Sequence, residues 1–243
     1  MRNIIFLIPF FNEESNLIEL YKMIEKSSIH NSFNFKILFL NDCSTDSSHE
    51  IITSYSKTND IDNLIIYENS QNLGHGKSLV KLYGLAKKYE ITATDIVTMD
   101  SDMRIKQDHF NEILVGNNSI IGKRKRFEDG VYRGILTFIA EILVFIKTGK
   151  LWRDTNCPFR VYKIKDFQLI TKLMPKNLLT PNIVSTIIFI NSKIPVTRKS
   201  INLIYDTKNS GETWKSQNLL IKYYKIFNFS FKSFVQVLKI KII

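Results

Sequence analysis

Along the first half of the chain, two kinds of segment alternate. Four short apolar runs, "NIIFLI" (3–8), "KILFLN" (36–41), "LIIYE" (64–68) and "DIVTMD" (95–100), are partly β-branched and of strand length. Between them lie longer stretches with helical spacing. Leu17, Leu20, Tyr21 and Ile24 share one helical face, and Leu79, Leu82, Tyr83 and Ala86 share another. Strands read as nearly continuous apolar runs when both faces of their sheet are covered. Helices of about 10–15 residues between such runs predict βαβ units and a parallel sheet. Right-handed crossovers then line up the strand C-termini along one edge, where such folds bind ligands.

After about residue 116 the rhythm changes. "SIIGKR" (119–124) and "FRVYKI" (159–164) read as strands, and residues 130–147 read as a helix. "PNIVSTIIFINS" (181–192) reads as a helix with Pro181 in its first turn, and "IPVTRKSINLI" (194–204) as a strand. From 213 to 243 there are six lysines and no acid. There Leu220, Tyr223, Phe227, Phe231, Phe234 and Leu238 are spaced by three or four, which makes an apolar stripe. Two readings of this tail stand. It is a basic amphipathic helix for a membrane surface, or a helix packed on the core with a solvated lysine face. The expected division is therefore a domain at 1–212 and an amphipathic helical tail at 213–243.

Composition alters this picture little. The chain has 243 residues, 44% hydrophobic and 23% charged, which is ordinary for one folded domain with a real core. Two cysteines, Cys43 and Cys157, make no disulfide framework and fit a reducing compartment. The N-terminus lacks the pattern of a secretory signal, so a cytoplasmic location is expected. A membrane-spanning helix needs roughly 20 apolar residues. The nearest run, "GILTFIAEILVFI" (134–146), is shorter and contains Glu141.

Charge says more. The net charge of +11 favours an anionic partner, although the high Lys, Asn and Ile content also reads as a genome-wide bias. The basic "GKRKRFEDG" (122–130) has no interleaved aromatics and no nucleic-acid motif around it. It suits a diphosphate or a lipid phosphate better than a nucleic acid.

The loops after the first four runs are "PFFNEESN", "NDCSTDSS", "NSQNLGHGKS" and "DSD". Each alone reads as a turn or a helix cap, with Ser44 or Thr45 as a capping candidate. Four polar, acid- or glycine-rich loops on one sheet edge read as a site. Asp100 and Asp102, one residue apart, repel each other unless a cation lies between them. "QNLGHGKS" is close to the phosphate-binding loop G-x-x-x-x-G-K-[ST], but Gln71 stands where its first glycine belongs. No G-x-G-x-x-G follows the first strand, which argues against a dinucleotide site.

Together, "IPFFNEESNL", "NDCSTDSS", "NSQNLGHGKSL" and "TMDSDMR" resemble, in order and spacing, the motifs of family 2 glycosyltransferases of the GT-A fold. "RDTNCPFRVYK" (153–163) and "YDTKNSGETW" (205–214) look like the later motifs of the dolichol-phosphate-mannose-synthase-like branch. The resemblance implies an α/β domain with a mostly parallel, Rossmann-like sheet. It also implies transfer of a sugar from a UDP- or GDP-sugar, with inversion, to a polyprenyl phosphate or a growing cell-surface glycan. It places Mg²⁺ or Mn²⁺ on Asp102 and Asp100, with Asp100 also near ribose. Pro9, Phe10, Asn12 and Glu13 would cradle base and ribose, and Asp42 would accept from the base. Gly74, Gly76, Lys77 and Lys208 would lie along ribose and diphosphate. Asp154 and Arg160 would act on the acceptor side, Asp154 as base or orienting group and Arg160 as a phosphate fork.

The chain departs from these motifs at four positions. Asn41 stands for a common aspartate, Pro158 for a glycine, and Tyr205 and Lys208 for the late His and Arg. His30, His49, His75 and His109 show no metal-ligand spacing and read as ordinary. Two other classes compete with the transferase: a non-catalytic module that binds nucleotide or anionic membrane, and a phosphate-loop nucleotidase. A working site would act at the inner face of a membrane if the tail is a surface helix.

Overall fold

The computed structural model describes residues 1–102, 105–124, 130–202 and 219–240. The strands are β1 (Arg2–Phe10), β2 (Phe33–Asn41), β3 (Leu64–Glu68), β4 (Asp95–Thr98), β5 (Ser119–Arg124), β6 (Arg160–Lys163) and β7 (Val196–Ile201). The helices are α1 (Leu17–His30), α2 (Ser48–Thr58), α3 (His75–Ala86), α4 (Gln107–Ile113), α5 (Gly130–Thr148), α6 (Ile164–Leu173), α7 (Pro181–Asn191) and α8 (Leu219–Lys239).

The described strands join one sheet in the order β3-β2-β1-β4-β6-β5-β7. β1 to β4 pair in parallel, as their alternation with helices predicts. β6 then runs antiparallel to both β4 and β5, and β7 runs parallel to β5. β5 therefore points the same way as β4 and ends on the same edge. The reversed β6 starts at that edge.

The strands are apolar on both faces because there are two cores. In β1, Ile4, Phe6 and Ile8 enter one core while Ile5 and Leu7 enter the other. β2 divides likewise, with Ile37 and Phe39 on one side and Leu38 and Leu40 on the other. α1, α2 and α4 cover the first core through Leu20, Ile24, Ile52 and Phe110. α3, α5, α6 and α7 cover the second through Leu79, Leu82, Val144, Ile170 and Ile187. Residues Pro181 to Ile190 of α7 are all buried, the polar Asn182, Ser185 and Thr186 among them.

At the opposite edge, Asp95 opens β4 with its side chain 1% exposed. Arg2 Nε lies 3.0 Å from one oxygen and Lys163 Nζ 2.8 Å from the other. Burial alone would raise this carboxyl's pKa. The hydrogen bonds from Lys163 and Arg2 outweigh burial and hold it below the ordinary aspartate range. One carboxylate thus ties together an end each of β1, β4 and β6.

No helix among the described residues is long and apolar enough to cross a membrane. Glu141 interrupts the α5 run because it turns inward and is buried, whereas Phe138, Ile142, Phe145 and Ile146 face solvent. The second half of α8 docks on the domain. Val237 is buried, and Phe234 and Ile240 pack against the second core. Lys147 Nζ donates to the carbonyls of Leu238 (2.6 Å) and Ile240 (3.0 Å). The predicted stripe is divided, since Phe234 belongs to it and packs on the core while Leu238 is exposed. Phe227 and Phe231 are exposed, with ring centroids 6.3 Å apart. The side chains of Leu220 and Tyr223 and the boundary at 212/213 lie outside the described residues.

Candidate active site

The parallel register sets Phe10 beside Asn41 and Asn41 beside Glu68, so the loops after β1, β2 and β3 leave the sheet together. The first two loops are stitched to each other. Asn12 sits at φ +55°, a left-handed conformation that asparagine tolerates. Its backbone N–H donates to Ser44 Oγ (3.1 Å), and its Oδ1 accepts from the Thr45 N–H (2.8 Å). Glu13 N–H donates to Ser48 Oγ at 2.7 Å. Ser44 and Thr45 are therefore engaged with Asn12 and do not cap α2. The first N–H groups of that helix region go instead to Glu14 Oε2, from Ser47, and Asp46 Oδ1, from Ser48. Asn41 has a local reason to be an amide. Its Nδ2 donates to Glu68 Oε1 at 2.8 Å, where an aspartate would set two carboxylates against each other.

Asp42 is 3% exposed and builds the third loop. Its Oδ1 accepts from Asn69 Nδ2 and the Leu73 N–H, and its Oδ2 from the Gly74 N–H, all at 2.8 Å. Gly74 needs its missing side chain for φ +83° at the start of α3. Gly76 needs it for space, because a Cβ there would lie 2.0 Å from the Leu179 carbonyl oxygen. The loop after β3 thus rests directly on the segment that leads into α7. The N-terminus of α3, with Lys77 in its first turn, favours anions.

A cavity of about 690 Å³ opens at this edge. Pro9, Phe10, Glu13, Asp42, Gly74, Gly76, Lys77, Asp100 and Asp102 all line it. Leu136, Ile139 and Leu143 of α5, Ile183 of α7 and Phe229 of α8 give it an apolar far side. His75, read from sequence as ordinary, lines it too, with Nε2 3.5 Å from Asp100 Oδ1. Its signal in the sequence was position: it opens the helix next to the aspartate loop. Asp100 and Asp102 offer only oxygen, and no group of three or more His, Cys, Asp or Glu that could hold a metal occurs among the described residues. Two carboxylates with coordination left open fit Mg²⁺ or Mn²⁺, which keep places for water and substrate phosphate.

Three predicted site residues, Asn12, Arg160 and Asp154, are placed otherwise, and a fourth is not described. Asn12 joins two loops and does not line the cavity. Lys208 lies outside the described residues, as does the whole late motif from Tyr205. Arg160 is 0% exposed, so it cannot fork a phosphate in the cleft. Its guanidinium donates to the carbonyls of Cys157 (3.0 Å) and Thr155 (2.6 Å) and to Ser185 Oγ (2.8 Å) and Thr186 Oγ1 (3.1 Å). It ties β6 to the preceding loop and to α7. The neighbouring Cys157 thiol is also buried, and burial with the Asp154 charge pushes its pKa up to about 12.

Asp154 is 3% exposed and stands behind Arg124, which does line the cavity. Arg124 Nη2 lies 2.7 Å from Asp154 Oδ1, and Arg124 Nε 3.2 Å from Oδ2. Oδ2 also accepts the Arg124 backbone N–H at 2.7 Å. Burial would raise the Asp154 pKa, but these bonds outweigh it and hold the carboxyl below its ordinary range. The sequence marked the basic segment around Arg124 without singling this residue out. Its signal was the end of β5, on the same edge as β4.

The comparisons with known proteins agree with this geometry. Residues 5–165 match the model of the family described as glycosyl transferase family 2. An uncharacterized protein of Methanocaldococcus jannaschii is 27% identical over 171 residues, 65% of this chain and 70% of that protein. The undecaprenyl-phosphate 4-deoxy-4-formamido-L-arabinose transferase of Salmonella choleraesuis is 24% identical over 65% of this chain, which spans 47% of that enzyme. In fold, the chain resembles glucosyl-3-phosphoglycerate synthase from Mycobacterium tuberculosis in complex with UDP. The TM-score is 0.61 at 14% identity, over 98% of this chain and 79% of that one. A mannosyltransferase from Pyrobaculum calidifontis, in complex with GDP-Man and Mn²⁺, gives a TM-score of 0.56 at 13% identity, over 96% of this chain and 68% of that one. With the sheet of the GT-A fold and a family match over most of its length, this chain belongs to glycosyl transferase family 2.

Proposed function

We propose that this glycosyltransferase takes a sugar from a UDP- or GDP-sugar and delivers it, with inversion, to a lipid phosphate of the polyprenyl class. The observation that carries the reading is convergence. The loops after β1, β2, β3 and β4 meet around one cavity that sets Asp100 and Asp102 beside the N-terminus of α3. In this reading Pro9, Phe10 and Glu13 receive base and ribose. Gly74, Gly76 and Lys77 receive the diphosphate, and Lys208 adds a charge to it. Asp42 reaches the base from the loop it anchors. Asp100 and Asp102 would hold Mg²⁺ or Mn²⁺, whose chemistry is to neutralise charge on a departing diphosphate. His75, at the mouth of α3, would orient Asp100 or donate to a phosphate oxygen.

The acceptor class rests on three supports. The Salmonella relative acts, by its name, on undecaprenyl phosphate. The far side of the cavity is apolar and built from α5, α7 and α8. The outer faces of α5 and α8 expose Phe138, Phe145, Phe227 and Phe231, and the tail carries six lysines and no acid from 213 to 243. Exposed aromatics on a basic helix suit an anionic membrane surface, where a lipid phosphate is found. A lipid phosphate is already an oxyanion, so its attack needs no strong base.

The test is thermal unfolding with UDP, GDP, CMP and dTDP, each with and without Mn²⁺, followed by donor turnover with a short polyprenyl phosphate. A ligand that binds the folded state raises the midpoint. Stabilisation by one nucleotide, stronger with Mn²⁺, is the expected result. No shift with any nucleotide would overturn the reading.

A further inference from the structure

Asp154 occupies the place where an acceptor-side base is looked for, yet its surroundings suit another task. Both of its oxygens are committed to Arg124, and one of them also holds that residue's backbone N–H. Main chain and side chain of Arg124 are therefore fixed by one carboxylate. Asp154 is itself held. Its N–H donates to Glu141 Oε1 at 2.9 Å, and its backbone takes the left-handed φ of +49°, a strained conformation for aspartate. Glu141 is 4% exposed and lies in the middle of α5. A chain of contacts thus runs from α5 through Asp154 to the end of β5.

Arg124 is the member that lines the cavity, with its side chain 24% exposed. A guanidinium carries five N–H donors. Asp154 takes the Nε donor and one from Nη2, so part of the fork remains for another planar or tetrahedral anion.

We propose that Asp154 is a positioning residue, backed by Glu141, that holds the Arg124 guanidinium on the cleft wall for phosphate oxygens of a substrate. This rests on reading the cleft as a nucleotide-sugar site. The phosphate belongs either to the donor diphosphate or to the acceptor. Proton removal by Asp154 would require its oxygens to leave Arg124, and with them the shape of the wall.

The experiment compares wild type, Asp154→Asn, Arg124→Lys and the double variant. Affinities for UDP, GDP and decyl phosphate are measured by calorimetry, and turnover is followed as kcat and KM across pH. Each single change is expected to weaken the same phosphate probe by about 10- to 100-fold, the scale of a charged hydrogen bond. The double variant should fall no further than the weaker single one, because the two residues act as a unit. Asp154→Asn should keep the shape of the kcat–pH profile. Loss on UDP or GDP assigns the clamp to the donor, and loss on decyl phosphate alone assigns it to the acceptor. The inference is overturned if Asp154→Asn removes the acid limb of kcat while phosphate affinities stay unchanged, or if the two losses multiply. Should Asp154→Asn fail to fold, unchanged phosphate affinity in Arg124→Lys overturns it alone. If wild type binds no nucleoside diphosphate, the nucleotide-sugar reading fails, and the decyl phosphate measurements decide the clamp.

Discussion

On the side of the cleft formed by the loops after β1 to β4, polar groups bond to one another from loop to loop. Asn12 joins Ser44 and Thr45, and Asp42 gathers three N–H groups from the loop after β3. Across the cleft, the wall is largely apolar, Arg124 reaches it, and the groups that hold its shape lie buried behind. Arg160 is enclosed by carbonyls and hydroxyls, and Asp154 faces Arg124 instead of the cavity. The difference assigns different work to the two sides. A seam of fixed dipoles is pre-organised for one polar ligand, such as a nucleotide. A largely apolar wall, held from behind by the buried Arg160 and Asp154, keeps its shape while accepting ligands of little polarity.

Three changes test this division, and the largest effect is expected on the polar side. Asp102→Ala should lower transfer by about 10³-fold, since a metal contributes several kcal/mol of charge stabilisation. Initial rates with Mn²⁺ would show it, and a loss below tenfold would move the chemistry away from this pair. Asp42→Ala, which orphans three N–H groups, should cost roughly 3 kcal/mol of stability and weaken nucleotide binding. Ser185→Ala, on the sealed side, should cost stability by urea unfolding yet leave nucleotide affinity alone.

Smaller effects lie outside the cleft. Replacing both Phe227 and Phe231 by Ser should reduce binding to anionic liposomes by about tenfold or more, with stability changed by less than about 0.5 kcal/mol. A large loss of stability there would mean that the aromatics are held by the fold. The last change is a pH effect at the far edge. The Asp95 pKa in the folded protein is depressed below the unfolded value of about 3.9. Its stabilisation is therefore complete above that value and is lost as pH falls through the folded pKa. Asp95→Asn should be less stable than wild type at neutral pH, and unfolding curves of the two should converge in acid.

Much of this was legible in the sequence. The runs at 3–8, 36–41 and 64–68 lie within or coincide with β1, β2 and β3, because strands buried on both faces leave continuous apolar runs. The aspartate pair and the glycine loop were found because each follows a strand. Family membership then replaces the nucleotidase reading of "QNLGHGKS". What stayed hidden were partners distant along the chain. Nothing local to Asp154 reveals that its counter-ion lies 30 residues earlier. Nothing near Arg160 shows that hydroxyls of α7, 25 and 26 residues away, enclose it. The direction of β6 was equally silent, since periodicity records burial and not orientation. The stripe on α8 left two roles open for a related reason: spacing shows that apolar residues share a face, not what that face meets.

Gly76 meets the other side at the backbone of Leu178 and Leu179, and it acts as a spacer of zero thickness. Any side chain there would be a wedge, driven against the carbonyl of Leu179. The push would travel along α7 to the hydroxyls that grip Arg160. The gape of the cleft is thus set by an atom that is missing, and the smallest residue in the loop fixes the jaw's resting position.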